Sequence, residues 1–154
     1  MNLVVGASGV LGSAIMQKTK AHAYPGRLEA QGWSFNYEVA YLCAGTKGFR
    51  ENEGNQKSFQ ADVDGNVRLA KMLLKAGSFV VFISTEAVEW GAQTAYARNR
   101  LLVEQALWMQ DNTAIIRPGK FDRETVGPLA DLCLKVANQK LEGVHYWRPN
   151  ERSV

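Results

Sequence analysis

A chain of 154 residues, 46% hydrophobic and 21% charged, has the length of one domain, and folding can hide about 70% of its unfolded surface. Eighteen Lys and Arg against 15 Asp and Glu leave a net charge of +3, spread along the chain without the basic stripe that nucleic-acid binding uses. There is no apolar run of a membrane span's length. Residues 1–6 lack the basic and apolar regions of a secretory signal. Two cysteines, Cys43 and Cys133, are too few for a disulfide framework. The expectation is a cytoplasmic protein with two reduced, buried thiols, no nucleic-acid partner and no membrane partner.

Leu3-Val4-Val5 is a short apolar run that reads as a buried strand. Glycine-rich residues 6–12 follow, then helical spacing from Val10 to about Thr19. Residues 20–37 are hard to read; Tyr24-Pro25-Gly26 breaks any helix there, and residues 22–24 suit a short strand. Residues 38–44 (Val39, Ala40, Tyr41, Leu42, Cys43) form a second strand closed by Gly45, and residues 46–55 read as a loop or frayed helix. Residues 58–75 form a helix with Phe59, Val63, Val67, Ala70, Leu73 and Leu74 near one face, and Gly77 suits its end. Phe79-Val80-Val81-Phe82-Ile83 is the strongest strand. A helix follows over residues 95–109, then a strand at Ala114-Ile115-Ile116 ended by Arg117-Pro118-Gly119. Pro128 opens a helix to about Lys140, and residues 143–147 make a last strand. Apolar strands alternating with helices indicate an α/β fold: a single doubly wound, Rossmann-type domain over residues 1–154, its parallel sheet covered on both faces.

Gly6-Ala7-Ser8-Gly9-Val10-Leu11-Gly12 joins the first strand to the first helix. Glycines here permit a tight turn and let backbone N–H groups approach a pyrophosphate, which meets the positive end of the helix. The last glycine lets the helix pack closely on the strand. The chemistry expected of such a loop is dinucleotide binding.

The G-x-x-G-x-x-G spacing resembles that of the short-chain dehydrogenase/reductase superfamily, particularly its extended, sugar-nucleotide-modifying branch. Tyr41-Leu42-Cys43-Ala44-Gly45 resembles the segment passing under the adenosine. Ala61-Asp62-Val63-Asp64-Gly65-Asn66-Val67-Arg68-Leu69 is similar to the family's V-N-x-x-G-T-x-x-L helix. Ile83-Ser84-Thr85-Glu86-Ala87-Val88 is similar to the I-S-T-D-Y-V of dTDP-4-dehydrorhamnose reductases. Tyr96-Ala97-Arg98-Asn99-Arg100 resembles Y-x-x-x-K, and Ile115-Ile116-Arg117-Pro118 the following L-R-P strand. Together these cover about residues 1–120 in the family's order. The resemblance implies NAD or NADP as cofactor, held by Gly6, Ser8, Gly9, Val10, Leu11, Gly12, Cys43, Ala44, Gly45, Asp62, Arg117 and Pro118.

It also implies a triad of Thr85, Tyr96 and Arg100, with Tyr96 as acid/base. A tyrosine has an ordinary pKa of about 10 and needs a nearby cation to work near neutral pH; Arg100, four residues on, shares its helix face. Two positions depart from the pattern. Arg100 replaces lysine with a bulkier, non-titrating fork, and Asp62 stands where many relatives have asparagine.

Relatives of this branch carry a further strand–helix unit after the second strand and a longer C-terminal substrate region. Residues 20–37 leave no room for the first, and 33 residues follow Phe121. The lack of a placed acid, together with Arg27, favours NADP slightly. The resulting expectation is an oxidoreductase or epimerase-like protein acting on a keto or hydroxyl group, possibly of a sugar nucleotide. The alternative is a non-catalytic dinucleotide-binding sensor or interaction module. His22 and His145 are isolated, so no metal site is expected. Trp33, Trp90, Trp108 and Trp147 form no stripe and suit core edges or a subunit contact. Leu101, Leu102 and Val103 broaden the apolar surface of the Tyr96 helix, through which relatives often dimerise, so a homodimer is expected.

Overall fold

The computed structural model describes residues 1–24, 36–44 and 60–149. In chain order they form β1 (Asn2–Val5), α1 (Val10–Lys18), β2 (Ala21–Ala23) and β3 (Val39–Leu42). A π-helical turn (Gln60–Gly65) runs into α2 (Asn66–Lys75), followed by β4 (Phe79–Ile83) and a 3₁₀ turn (Glu86–Trp90). Then come α3 (Ala95–Leu107), β5 (Thr113–Pro118), α4 (Val126–Asn138) and β6 (Gly143–Trp147). The strands pair in parallel in the order β2-β1-β3-β4-β5-β6.

A strand covered on both faces must be apolar at successive positions, and β3 and β4 are buried throughout. Alternate residues feed two cores. Val4, Tyr41, Val81 and Ile116 meet Leu11 and Ile15 of α1 and Leu129, Cys133 and Val136 of α4. Leu3, Leu42, Val80 and Phe82 meet Leu69 and Leu73 of α2 and Val103 and Leu107 of α3. Each such side chain contributes about 1.5–3 kcal/mol on burial, so α1 and α4 are held to one face and α2 and α3 to the other.

The element ends have local causes. Gly77 takes φ +95 after α2, and its N–H donates to the Leu74 carbonyl at 3.0 Å. The α4 helix starts two residues before Pro128, directly after a turn that Asp122 and Thr125 close reciprocally. The Thr125 N–H donates to Asp122 Oδ1 at 3.0 Å and the Asp122 N–H to Thr125 Oγ1 at 2.9 Å. The helix expected over residues 58–75 is α-helical only from Asn66, its described start being the π turn.

Among the described residues no strand lies outside β2, where a 3-2-1-4-5-6 sheet has another. The short strand expected at residues 22–24 is β2, half exposed at the sheet's edge. Residues 46–55, Arg27, Trp33 and Gly45 lie outside the described residues.

Candidate functional site

Sheet growth reverses between β1 and β3: β2 lies on one side of β1 and β3 on the other. In open α/β sheets the carboxyl ends of the strands at such a reversal are the usual ligand position. The glycine loop leaves β1, and Cys43 and Ala44 leave β3, with the Cys43 N–H donating to the Val5 carbonyl at 2.9 Å.

The three glycines are not equivalent. Gly6 has φ +84, and a Cβ there would lie 2.7 Å from the Ala44 nitrogen. A Cβ on Gly12 would lie 2.0 Å from the Gly6 carbonyl oxygen. Both positions are closed by the fold. Gly9 has an extended backbone, φ −75 and ψ 173, and its Cβ would meet only the Gly6 oxygen at 3.5 Å, an ordinary contact. The fold therefore leaves open the space a side chain at 9 would fill, beside the start of α1. That helix has no side-chain cap and no acidic residue in its first turn, so no side chain takes up the first N–H groups that a helix start leaves without intrahelical partners. These features fit a dinucleotide's pyrophosphate. Ser8 is exposed and Val10 is 37% exposed, whereas the Leu11 side chain packs in the core and offers only its backbone.

The other candidate residues line the same end of the sheet. Thr85 follows β4 and caps the 3₁₀ turn, its Oγ1 accepting the Ala87 N–H at 3.2 Å. Tyr96 is in the first turn of α3, whose N-cap is Thr94. Arg100, one turn on, is only 4% exposed, and its guanidinium lies 5.2 Å from the Tyr96 ring centre and 5.3 Å from that of Phe82. Its Nη2 donates to the Ala44 carbonyl at 3.1 Å, which ties α3 to the end of β3. Burial pushes the partly buried Cys43 thiol up to about 12, while the Arg100 charge pulls it down. Cys43 therefore stays a neutral thiol, and Cys133 is free and buried. Asp62 is buried in the π turn, and its carbonyl accepts from Asn66 Nδ2 at 2.7 Å.

Sequence reasoning missed Glu104. It is buried two turns after Tyr96 on α3, and it accepts from Arg117 Nη2 at 2.6 Å and from Arg117 Nε at 3.1 Å. Ser84 Oγ also donates to it. Arg117 Nη1 donates to the Tyr146 hydroxyl at 2.7 Å and lies 3.7 Å from Glu89. The hydrogen bond to Glu104 raises the Arg117 pKa further. Arg117, read from the sequence as cofactor-binding, thus uses its fork to clamp β4, β5, β6 and α3 together. Pro118 is the buried last residue of β5, beside it. Of Ser84, Glu104 and Arg117, only Glu104, eight residues after Tyr96, carried no signal in the sequence motifs.

No helix among the described residues is long and apolar enough to cross a membrane. Among the same residues no three His, Cys, Asp or Glu cluster as metal ligands do. Trp90 and Trp108 are 62% and 74% exposed, while Trp147 packs edge-on to Phe121. Leu102 is exposed and Val103 fully buried.

No family model and no curated protein matches the sequence. Solved structures match the backbone. A hypothetical dTDP-4-dehydrorhamnose reductase from Sulfolobus tokodaii superposes with a TM-score of 0.78 at 18% identity, over 94% of this chain and 75% of that one. The structure of RMD from Pseudomonas aeruginosa complexed with NADPH gives 0.60 at 18% identity, over 78% of this chain and 55% of that one. The chain has their fold. A UDP-glucose-4-epimerase from Stenotrophomonas maltophila, with bound NAD and formylated UDP-arabinopyranose, gives 0.71 at 14% identity, over 95% and 76% of the two chains. These are reductase and epimerase structures, the group that the sequence motifs resemble, and the chain spans little more than half the length of the second.

Proposed function

We propose that this chain is a minimal, single-domain member of the extended short-chain dehydrogenase/reductase group, binding NADP or NAD and acting on a keto or hydroxyl group. The observation that carries this reading is the glycine loop at the switch point, where the fold closes positions 6 and 12 and leaves position 9 open. Gly6, Ser8, Gly9, Val10, Leu11 and Gly12 would hold the dinucleotide's phosphates, with Cys43, Ala44, Gly45 and Asp62 along its course. In the sequence after β2, Tyr24-Pro25-Gly26-Arg27, no acid is placed to meet the ribose; this supports NADP over NAD, as does Arg27. The nicotinamide, when bound, supplies or accepts hydride.

The chain's own residues handle the proton. Thr85 Oγ1 already accepts one N–H, so its O–H remains to donate to a substrate oxygen. The Tyr96 phenol gives a proton to that oxygen during reduction and takes it back during oxidation. Arg100 lays its charge over the Tyr96 ring and fixes the Ala44 carbonyl. A sugar nucleotide is the substrate class that the motif resemblance supports.

The test follows reduced-cofactor absorbance against 4-keto sugar nucleotides and simple ketones. Turnover by the native protein and loss in Tyr96→Phe are expected. A second reading, a dinucleotide-binding sensor, is favoured by Arg100, which stands where the family's lysine would and is buried against Ala44. Cofactor binding without turnover, in both the native protein and Arg100→Lys, decides for the sensor.

A further inference from the structure

Among the described residues nothing neutralises the buried charge of Arg100. Its Nε and Nη1 are buried and have no hydrogen-bond partner. No carboxylate among the described residues pairs with it. Its one hydrogen bond goes to a neutral carbonyl, that of Ala44, and its flat faces rest on Phe82 and Tyr96. The contrast with Arg117 is direct. That guanidinium has Glu104 as counter-charge. Glu104 sits one turn beyond Arg100 on α3, yet both its oxygens are engaged by Arg117 and Ser84. A buried cation with unmade N–H bonds is unfavourable in the free protein. Such groups gather where a ligand supplies what is missing.

The position points the same way. Ala44, the partner of Nη2, is the residue whose backbone abuts Gly6, so the fork stands one residue from the glycine loop. We propose that Arg100 is an oxyanion seat: its Nε–H and Nη1–H groups receive two oxygens of a phosphate or carboxylate brought by a ligand. A guanidinium fork matches such a group bidentately, which the single ammonium of a lysine cannot do. This deepens the reading of the site given above. The oxyanion has two sources, the phosphate of a dinucleotide or a carboxylate on the substrate.

The experiment is calorimetric titration of the full chain, native, Arg100→Lys and Arg100→Met, with inorganic pyrophosphate, oxalate and NADPH. The native protein is expected to bind at least one of the first two probes, and Arg100→Met to lose at least tenfold in that affinity. A parallel tenfold loss for NADPH assigns the seat to the dinucleotide's phosphate. Unchanged NADPH affinity with lost oxalate binding assigns it to a substrate carboxylate. Should Arg100→Met fail to fold, Arg100→Lys decides alone: it keeps the charge, so a threefold or larger loss supports the bidentate seat and unchanged affinity overturns it. Native protein that binds none of the three probes, or variants that bind all of them unchanged, overturn the proposal. A native protein that binds oxalate or pyrophosphate through Arg100 but not NADPH keeps the seat and removes the dinucleotide reading.

Discussion

Gly12 can carry no side chain, since its Cβ would lie 2.0 Å from the Gly6 carbonyl oxygen, while Gly9 can. The two positions therefore separate fold from function. Gly12→Ala overpacks the contact between loop and helix and should cost about 3 kcal/mol or more, read as a lower midpoint in urea. Gly9→Val should leave that midpoint within about 1 kcal/mol of native, because its backbone is extended and its surroundings are open. It should abolish dinucleotide binding by filling the space the phosphates need. At Tyr96 the corresponding separation is between chemistry and binding. Tyr96→Phe removes only the hydroxyl, so cofactor affinity should hold while kcat falls about 10²–10⁴-fold, the usual range for an acid/base group. Equal kcat values would remove Tyr96 from the acid/base role. The residues of these tests were all legible in the sequence, because loop spacing and a helix's four-residue repeat are local. Glu104 was not. A lone glutamate on a helix reads as solvated, and only the sheet register brings Ser84 and Arg117, 20 and 13 residues away, onto it.

At the scale of elements, legibility followed burial. β4 is buried at every position and stands out as an unbroken apolar run. β2, three residues at an exposed edge, leaves almost no trace. The 3₁₀ turn Glu86–Trp90 was missed because one cap, Thr85, and Gly91 at φ +88 define it, with Val88 alone buried. The start of α4 was placed late because Pro128 was read as its first signal, whereas the helix follows directly on the Asp122–Thr125 turn, whose Asp122 carbonyl accepts the Val126 N–H at 3.0 Å. That turn makes a prediction about pH. The N–H groups of Thr125 and Glu124 hold the Asp122 carboxyl below its ordinary 3.8. The folded protein therefore binds this proton less readily than the unfolded chain. The stabilisation is complete above 3.8 and fades as pH falls below it. Asp122→Ala should lower the thermal midpoint near neutral pH, and the gap from native should close in acid. A gap that persists well below 3.8 would mean that the carboxylate's charge plays no part.

For the whole molecule, alternating apolar strands and helices made the parallel, doubly covered sheet readable, because a buried parallel strand cannot hide its composition. The strand order was not readable from any one segment, and it decides the site. Placing β2 and β3 on opposite sides of β1 puts the glycine loop, Ala44 and Arg100 at one end of the sheet. Among the described residues the same order makes β2 the edge strand beside the glycine loop's own strand. The account stands on that end of the sheet holding a nicotinamide dinucleotide. Calorimetric titration of the full chain with NADPH and NADH, beside Gly9→Val, tests it most directly. Saturable binding of one molecule per chain is predicted, with NADPH at least as tight as NADH and no binding by the folded Gly9→Val protein. Absence of binding by the native chain, or undiminished binding by Gly9→Val, would contradict it.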